Sequence, residues 1–350
     1  MKKNLLILIL LVTHWAARSQ VDTTDRFDYI PPPLFESNAM VEATIAFDMQ
    51  ELINDVGDDR KYHDALFVYL DETRDTVKLA VKIRTRGNFR LDPDHCDFPP
   101  LRIDFSEANV ENTLFDQQEK LKLITHCNTR KKYYEEYLLK EYLVYRLYNM
   151  ITEESYRVRL LHITYFDISG RKEPIVKFGF FLETSGKMAA RNGCEELDLE
   201  QVKQKNIRDD VMVKLSFFQF MIGNTDWSVP GLHNIELIRS SPYLPPVAVP
   251  YDFDWCGLVN TNYATPAPNL EIQSVRERLY RGICRNKSEY DEAIRFYKEK
   301  EQDFYSLCNN FNHLEKGESK QVIKYLEQFY FILDHPRLIE SEIYSKCRTD

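Results

Sequence analysis

Three carboxylates and one carboxamide, gathered in two short stretches of the sequence, are the side-chain types that phosphoryl transfer requires. That reaction needs a carboxylate to orient or deprotonate the acceptor hydroxyl, and two oxygen ligands for the Mg²⁺ that neutralises the phosphates. Gly223-Asn224-Thr225-Asp226 leaves a helical pattern, and His233-Asn234-Ile235-Glu236-Leu237 opens a β-rich run. Val249-Pro250-Tyr251-Asp252-Phe253-Asp254 closes the next one. Taken singly, each residue has an ordinary role. Asp226 ends a helix, Asn234 sits at a strand edge, and Asp252 and Asp254 alternate with Tyr251, Phe253 and Trp255 as at a half-buried strand end. Their order along the chain is what points to chemistry.

The elements that must position them follow from periodicity. Ala65 to Asp71 and Thr76 to Thr85 are β-rich runs around a polar turn and predict a hairpin, and Leu101 to Phe105 and Lys120 to His126 are shorter alternating runs. Lys132 to Ile151, free of Gly and Pro, predicts a long helix. A second hairpin pairs Val158 to Asp167 with Ile175 to Glu183. Asp209 or Asp210 caps a helix whose Val211, Leu215, Phe218 and Ile222 share one face, and Gly223 supplies a left-handed C-cap. A last hairpin joins His233–Arg239 to Val247–Tyr251, and the chain from Glu271 onward reads as mostly helical. Before all of these, residues 20–40 read as an extended lead-in ending in Pro31-Pro32-Pro33.

The run GNTD…HN, followed by a strand pair and YDFD, resembles the active-site loops of HipA-type and CotH-type atypical kinases. Upstream, Arg86-Gly87-Asn88 resembles the RGN loop of the CotH kinases. There too a short strand, a strand like Lys120-Leu121-Lys122-Leu123 and a long helix follow it. The resemblance is dispersed from Lys82 to Asp254. It implies a bilobal kinase-like α+β fold, with a β-rich N-terminal lobe over residues 41–184 and a helical C-terminal lobe over 185–350. It makes Asp226 the catalytic carboxylate, and Asn234 and Asp252 the metal ligands, with Asp254 sharing the metal or capping the turn. Arg86 and Asn88 become nucleotide contacts, and the nucleotide is ATP or a relative carried with Mg²⁺ or Mn²⁺. A strand lysine should grip the phosphates and pair with a helix glutamate. Glu141 interrupts an apolar stripe with Tyr137, Leu138 and Tyr145, so it needs a cation; Lys122 is the choice, with Lys120 and Lys82 as alternatives. The sequence departs from the family in three places. Asp226 and Asn234 stand farther apart than usual, around Val229-Pro230-Gly231; Phe89-Arg90 replaces the serines after RGN; and GxGxxG is absent.

Composition sets the remaining bounds. The 350 residues carry a net charge of -9 with both signs interleaved, which argues against nucleic acid as a partner. Lys2, Lys3, the apolar Leu5 to Val12 and Ala17-Arg18-Ser19 read as a signal peptide over residues 1–19. The run is too short to span a bilayer, and no later segment is long and apolar enough. The expectation is a periplasmic or secreted protein with no transmembrane segment after cleavage. Seven cysteines without a CxxC permit disulfides, and the odd count leaves at least one thiol over. Arg276, Arg278, Arg281 and Arg285 follow helical spacing and read as a solvated face; Cys256 reads as a small buried side chain.

Three functions fit. The first is an exported kinase acting on a protein hydroxyl. The second is a catalytically inactive nucleotide-binding module that serves an envelope partner. The third, weakest in its ligands, is metal-dependent hydrolysis by Asp226, Asp252, Asp254 and His233.

Overall fold

A computed structural model of the protein describes residues 29–87 and 89–349; the expected signal peptide and Asn88 lie outside the described residues. Seven strands form the first half: β1 (Val41–Phe47), β2 (His63–Leu70), β3 (Thr76–Thr85), β4 (Leu101–Asp104), β5 (Lys120–Ile124), β6 (Val158–Asp167) and β7 (Ile175–Leu182). Alternation decides their faces. In β1, Val41, Ala43, Ile45 and Phe47 are buried while Glu42 is exposed. Their buried faces meet as one core containing Phe67, Ile83, Ile103, Phe105, Leu121, Leu123, Ile163 and Phe181.

The strands do not stay an open sheet. In the order β1-β2-β3-β4-β5-β7-β6 they close into a barrel, because β1 pairs antiparallel with β2 on one edge and parallel with β6 on the other. Closure gives every strand of the barrel a neighbour on both sides, which an open sheet cannot do. This overturns the expected bilobal kinase-like fold with its sheet lobe and helical lobe: the strands close on themselves, and residues 31–350 form one compact unit. The lead-in differs as well. Leu34 and Phe35, after the proline run, are buried in the barrel core, and Arg159 Nη1 donates to the carbonyls of Leu34 and Ser37.

Two helices belong to the first half. Short α1 (Met49–Asn54) is capped by Asp48, whose side chain accepts from Glu51 N, and it buries Met49 and Leu52. Long α2 (Tyr133–Asn149) is buried on nearly every side. Its Tyr142, Tyr145 and Tyr148 meet Phe180, Phe253 and Phe218 at ring distances of 5.8, 4.7 and 4.6 Å, joining barrel to helices.

The second half contains α3 (Ser185–Arg191), β8 (Glu195–Glu196), α4 (Asp209–Met221), β9 (Ile235–Arg239), β10 (Val247–Pro250), α5 (Lys287–Asn310), α6 (Lys316–Asp334) and α7 (Pro336–Glu342). Strands β10, β9 and β8 make a small antiparallel sheet in that order. Neither Asp209 nor Asp210 caps α4. The cap position falls on Arg208 without a side-chain bond, and the two aspartates sit in the first turn, where the positive end of the helix dipole favours them. Residues 271–286 are irregular rather than helical. The four arginines there face inward in part: Arg276 donates to Gly257 O, Arg278 to Met221 O and Tyr325 O, and Arg281 to Thr225 O.

Candidate active site

The loop that carries Asp226 begins where α4 must stop. Gly223 has φ 65°, and a Cβ there would lie 2.0 Å from the Tyr325 hydroxyl, so both backbone and space demand glycine. Asn224 Oδ1 accepts from Asp226 N at 2.9 Å. Farther on, Ser228 and His233 exchange both backbone hydrogen bonds at 3.0 Å, closing the Val229-Pro230-Gly231 bulge into a tight excursion. That bulge returns Asn234 to Asp226 despite the long spacing. Asn234 Nδ2 donates to Asp226 O at 2.8 Å and to Asp226 Oδ2 at 3.0 Å, while His233 Nε2 lies 2.8 Å from Asp226 Oδ1. With Nε2 protonated, His233 donates that bond. The three residues form one unit, so His233, which the sequence offered only as a ligand for metal-dependent hydrolysis, bonds the Asp226 carboxylate.

Asn234 and Asp252 flank the β9–β10 hairpin, and both have left-handed backbone, at φ 54° and 62°. Such conformations are tolerated by Asn and Asp more than by other residues and cluster where geometry is over-determined by function. Tyr251 N donates to Asn234 O at 3.1 Å, and Asp252 N bonds the Tyr145 hydroxyl of α2 at 2.9 Å, so both hairpin ends are pinned. Asp252 is exposed. Asp254, two residues on, is buried and accepts from the Tyr263 hydroxyl at 2.8 Å.

Electrostatics join these loops to the barrel. Glu141, 3% exposed on α2, has its pKa pushed far up by burial and then by the charges of Asp254 and Asp252, against the pull of Arg90 and Arg86. Asp254 is pushed up to about 7 by burial and by Asp252, opposed by Arg90 and by the Tyr263 hydrogen bond; Asp226 adds to the rise. Two buried carboxylates and the negative charge of Asp252 thus share one field, an arrangement that a divalent cation would relieve.

On the cationic side, burial lowers the pKa of Arg86, which the charges of Asp252 and Glu141 oppose. Lys122 reaches solvent, but the surrounding walls and the charges of Arg86 and Arg102 lower its pKa, with Asp252 and Glu236 pulling the other way. Its ammonium lies 5.8 Å from the Tyr251 ring.

Lys122 and Glu141 form no ion pair. The cations that face Glu141 are Arg86 and Arg90. Strand register explains why: Arg84, Arg102 and Lys122 are direct cross-strand neighbours on β3, β4 and β5, so Lys122 belongs to a row of three positive side chains. Like charges directly opposite one another cost stability unless an anion joins them, and none of the three is in an ion pair among the described residues. Lys120 and Lys82, the alternatives, are tied instead to Asp104 and Glu107.

The structure therefore brings together Arg86, Lys122, Glu141, Asp226, Asn234, Asp252 and Asp254, and adds Arg90, Arg102, His233 and Tyr263. Of the additions, His233 was visible in the sequence beside Asn234, whereas Arg102 comes beside Lys122 only through the strand register. The Arg90 guanidinium donates to Thr125 O. Phe89 beside it packs on Trp255 and Tyr263 at 6.0 and 5.5 Å. The disulfide Cys96–Cys127 anchors the end of that loop against Tyr134. Among the described residues no three His, Cys, Asp or Glu side chains gather as a ready metal cage. The oxygen set Asn234, Asp252 and Asp254 suits a hard cation that also takes phosphate and water ligands.

Compared with protein-family models and with curated proteins, the sequence matches none.

Proposed function

We propose that this cleft binds a nucleotide such as ATP with Mg²⁺ or Mn²⁺ and transfers its terminal phosphoryl group to a protein hydroxyl. One observation carries the reading. Five separate segments, at Arg86, Lys122, Glu141, Asp226–Asn234 and Asp252–Asp254, deliver cations, carboxylates and an amide into one another's fields. No local folding rule assembles such a set, and it supplies each part that phosphoryl transfer needs. The resemblance to atypical kinases supports the reading through residues alone, since the barrel is not the fold it implied.

In this reading Lys122, Arg86 and Arg102 hold phosphate oxygens. Asn234 and Asp252 would hold the cation, with the Asp254 carboxyl beside them as a further oxygen donor. Asp226, oriented by His233 and Asn234, accepts the proton of the acceptor hydroxyl. His233, 2.8 Å from Asp226 Oδ1, fixes the orientation of that carboxylate and adds a donor to it. The bound cation supplies charge neutralisation of the phosphates.

The chain acts outside the cytoplasm in this reading, and the disulfides Cys96–Cys127 and Cys284–Cys347 support an oxidising compartment. A binding module that holds nucleotide for an envelope partner is favoured by one detail: both Asp226 oxygens already have partners in the chain.

Melting temperature with and without nucleotide and Mg²⁺ or Mn²⁺ tests the proposal, because a ligand of the folded state raises it. Asp252→Ala should abolish the rise. Asp226→Ala should keep most of it and lose phosphoryl transfer. A wild-type protein whose melting point is unmoved by every nucleotide–metal pair would end the reading.

A further inference from the structure

Beside the loop that carries Asp226, at Trp227 and Ser228, lies a cavity of about 200 Å³. Trp227, Ser228, Arg281 and Arg348 line it, and none of its lining side chains among the described residues is acidic. Neither arginine makes an ion pair among the described residues. Arg281 lies 5.9 Å from the Trp227 ring and donates one N–H to Thr225 O, the residue before Asp226, leaving its buried Nε without a partner. Trp227, 2% exposed, leaves its indole N–H without one as well.

Unsatisfied donors in a buried site cost stability unless something accepts from them. The unsatisfied groups of Arg281 and Trp227 are donors, and two of the four named side chains are guanidinium groups, which suit bidentate bonding to oxyanions. The charges are also crowded: burial and Arg348 pull the Arg281 pKa down to about 10, while Asp226 opposes them. The floor is rigid, since Ile283 and Arg348 pair as a β-bridge beside the disulfide Cys284–Cys347.

We propose that this cavity is an oxyanion site, taking a phosphate group that is either free or carried on a polypeptide beside the hydroxyl presented to Asp226. Arg281 and Arg348 hold the charge, with the Trp227 N–H and the Ser228 hydroxyl as further donors. That the anion marks an acceptor rests on the phosphoryl-transfer reading; that the cavity binds an anion does not.

The test uses the full chain with EDTA and no nucleotide, so that metal and nucleotide binding play no part. Inorganic phosphate is titrated calorimetrically at constant ionic strength. Saturable binding is expected, and Arg348→Gln should weaken it about tenfold or more, the scale of a lost charged hydrogen bond. Trp227→Phe, which keeps the ring and removes the N–H, should weaken it by a smaller factor. Lys122→Gln, in the neighbouring cleft, should leave this binding in place, and so should Asp252→Ala, which separates a failure here from a failure of the nucleotide reading. Displacement of phosphate by a phosphoserine peptide assigns the anion to a polypeptide, and displacement by inorganic sulfate alone assigns it to a free ion. Phosphate affinity unchanged in both Arg348→Gln and Trp227→Phe overturns the proposal, as does absence of saturable binding in the wild type.

Discussion

The barrel and the cleft beside it are built by opposite rules. Inside the barrel, each local preference agrees with the whole: inward positions are apolar, aromatic rings meet edge to face as Phe67 does with Phe105 and Phe115, and closure removes the free edges. In the cleft, local preferences are overridden. Asn234 and Asp252 hold left-handed backbone, Glu141 and Asp254 are buried carboxylates, and like charges line up across β3, β4 and β5. The contrast shows where stability is generated and where it is consumed, since conflict of this kind persists only when surrounding structure enforces it.

Breaking the barrel should have the largest effect. Phe67 is fully buried among aromatic neighbours, and Phe67→Ala should cost about 3–5 kcal/mol in urea unfolding. The fraction that remains folded should keep its nucleotide affinity. A loss below about 1 kcal/mol would mean that the barrel is not the reservoir supposed here.

Relieving the cleft should act in the other direction and depend on pH. The folded pKa of Asp254, about 7, lies above its unfolded value of 3.8, so the folded state binds the proton more tightly. Its contribution is complete below about pH 4 and is lost as pH rises through 7. Asp254→Asn should therefore stabilise the metal-free protein by about 1–3 kcal/mol at pH 8 and flatten the decline between pH 4 and 8. Unfolding free energies measured across that range check both. A destabilised variant at pH 8 would show that Asp254 is held charged by partners rather than against its preference.

The barrel's outer surface should respond least. Lys82 and Glu107 meet at 3.4 Å with side chains 40% and 77% exposed, so Lys82→Ala should change stability by less than about 0.5 kcal/mol. It should also leave nucleotide binding intact, in contrast with Lys122→Ala. A marked loss of binding in the Lys82 variant would shift the phosphate contacts one residue pair along the strands.

What the sequence reveals follows the same division. The two hairpins β2–β3 and β6–β7, helix α2 and the stop of α4 at Gly223 were legible because periodicity and a single glycine determine them locally. The approach of Asn234 to Asp226 was legible only from the order of the residues. Closure of the barrel was not, because alternation says which face of β1 is buried but not that its second edge meets β6. The arginines at 276, 278 and 281 misled by fitting a helical period. Their guanidinium groups reach backbone carbonyls instead, Arg276 at Gly257, Arg278 at Met221 in the end of α4 and Arg281 at Thr225 before Asp226, which only the tertiary structure reveals. The partners of the four paired cysteines were equally out of reach, since spacing does not choose among connectivities.

The parallel pairing of β1 with β6 also dictates a schedule. Glu42 and His162, neighbours across that seam, are 120 residues apart in the chain. Until the β6 stretch has been synthesised and released, β1 has one bare edge, and the barrel core cannot be sealed by anything made earlier. Long-range pairing of this kind slows folding and prolongs the exposure of strand edges to other chains. A chain threaded through a membrane pore from its N-terminus would meet that interval on the far side, where its first strand must wait for its last neighbour.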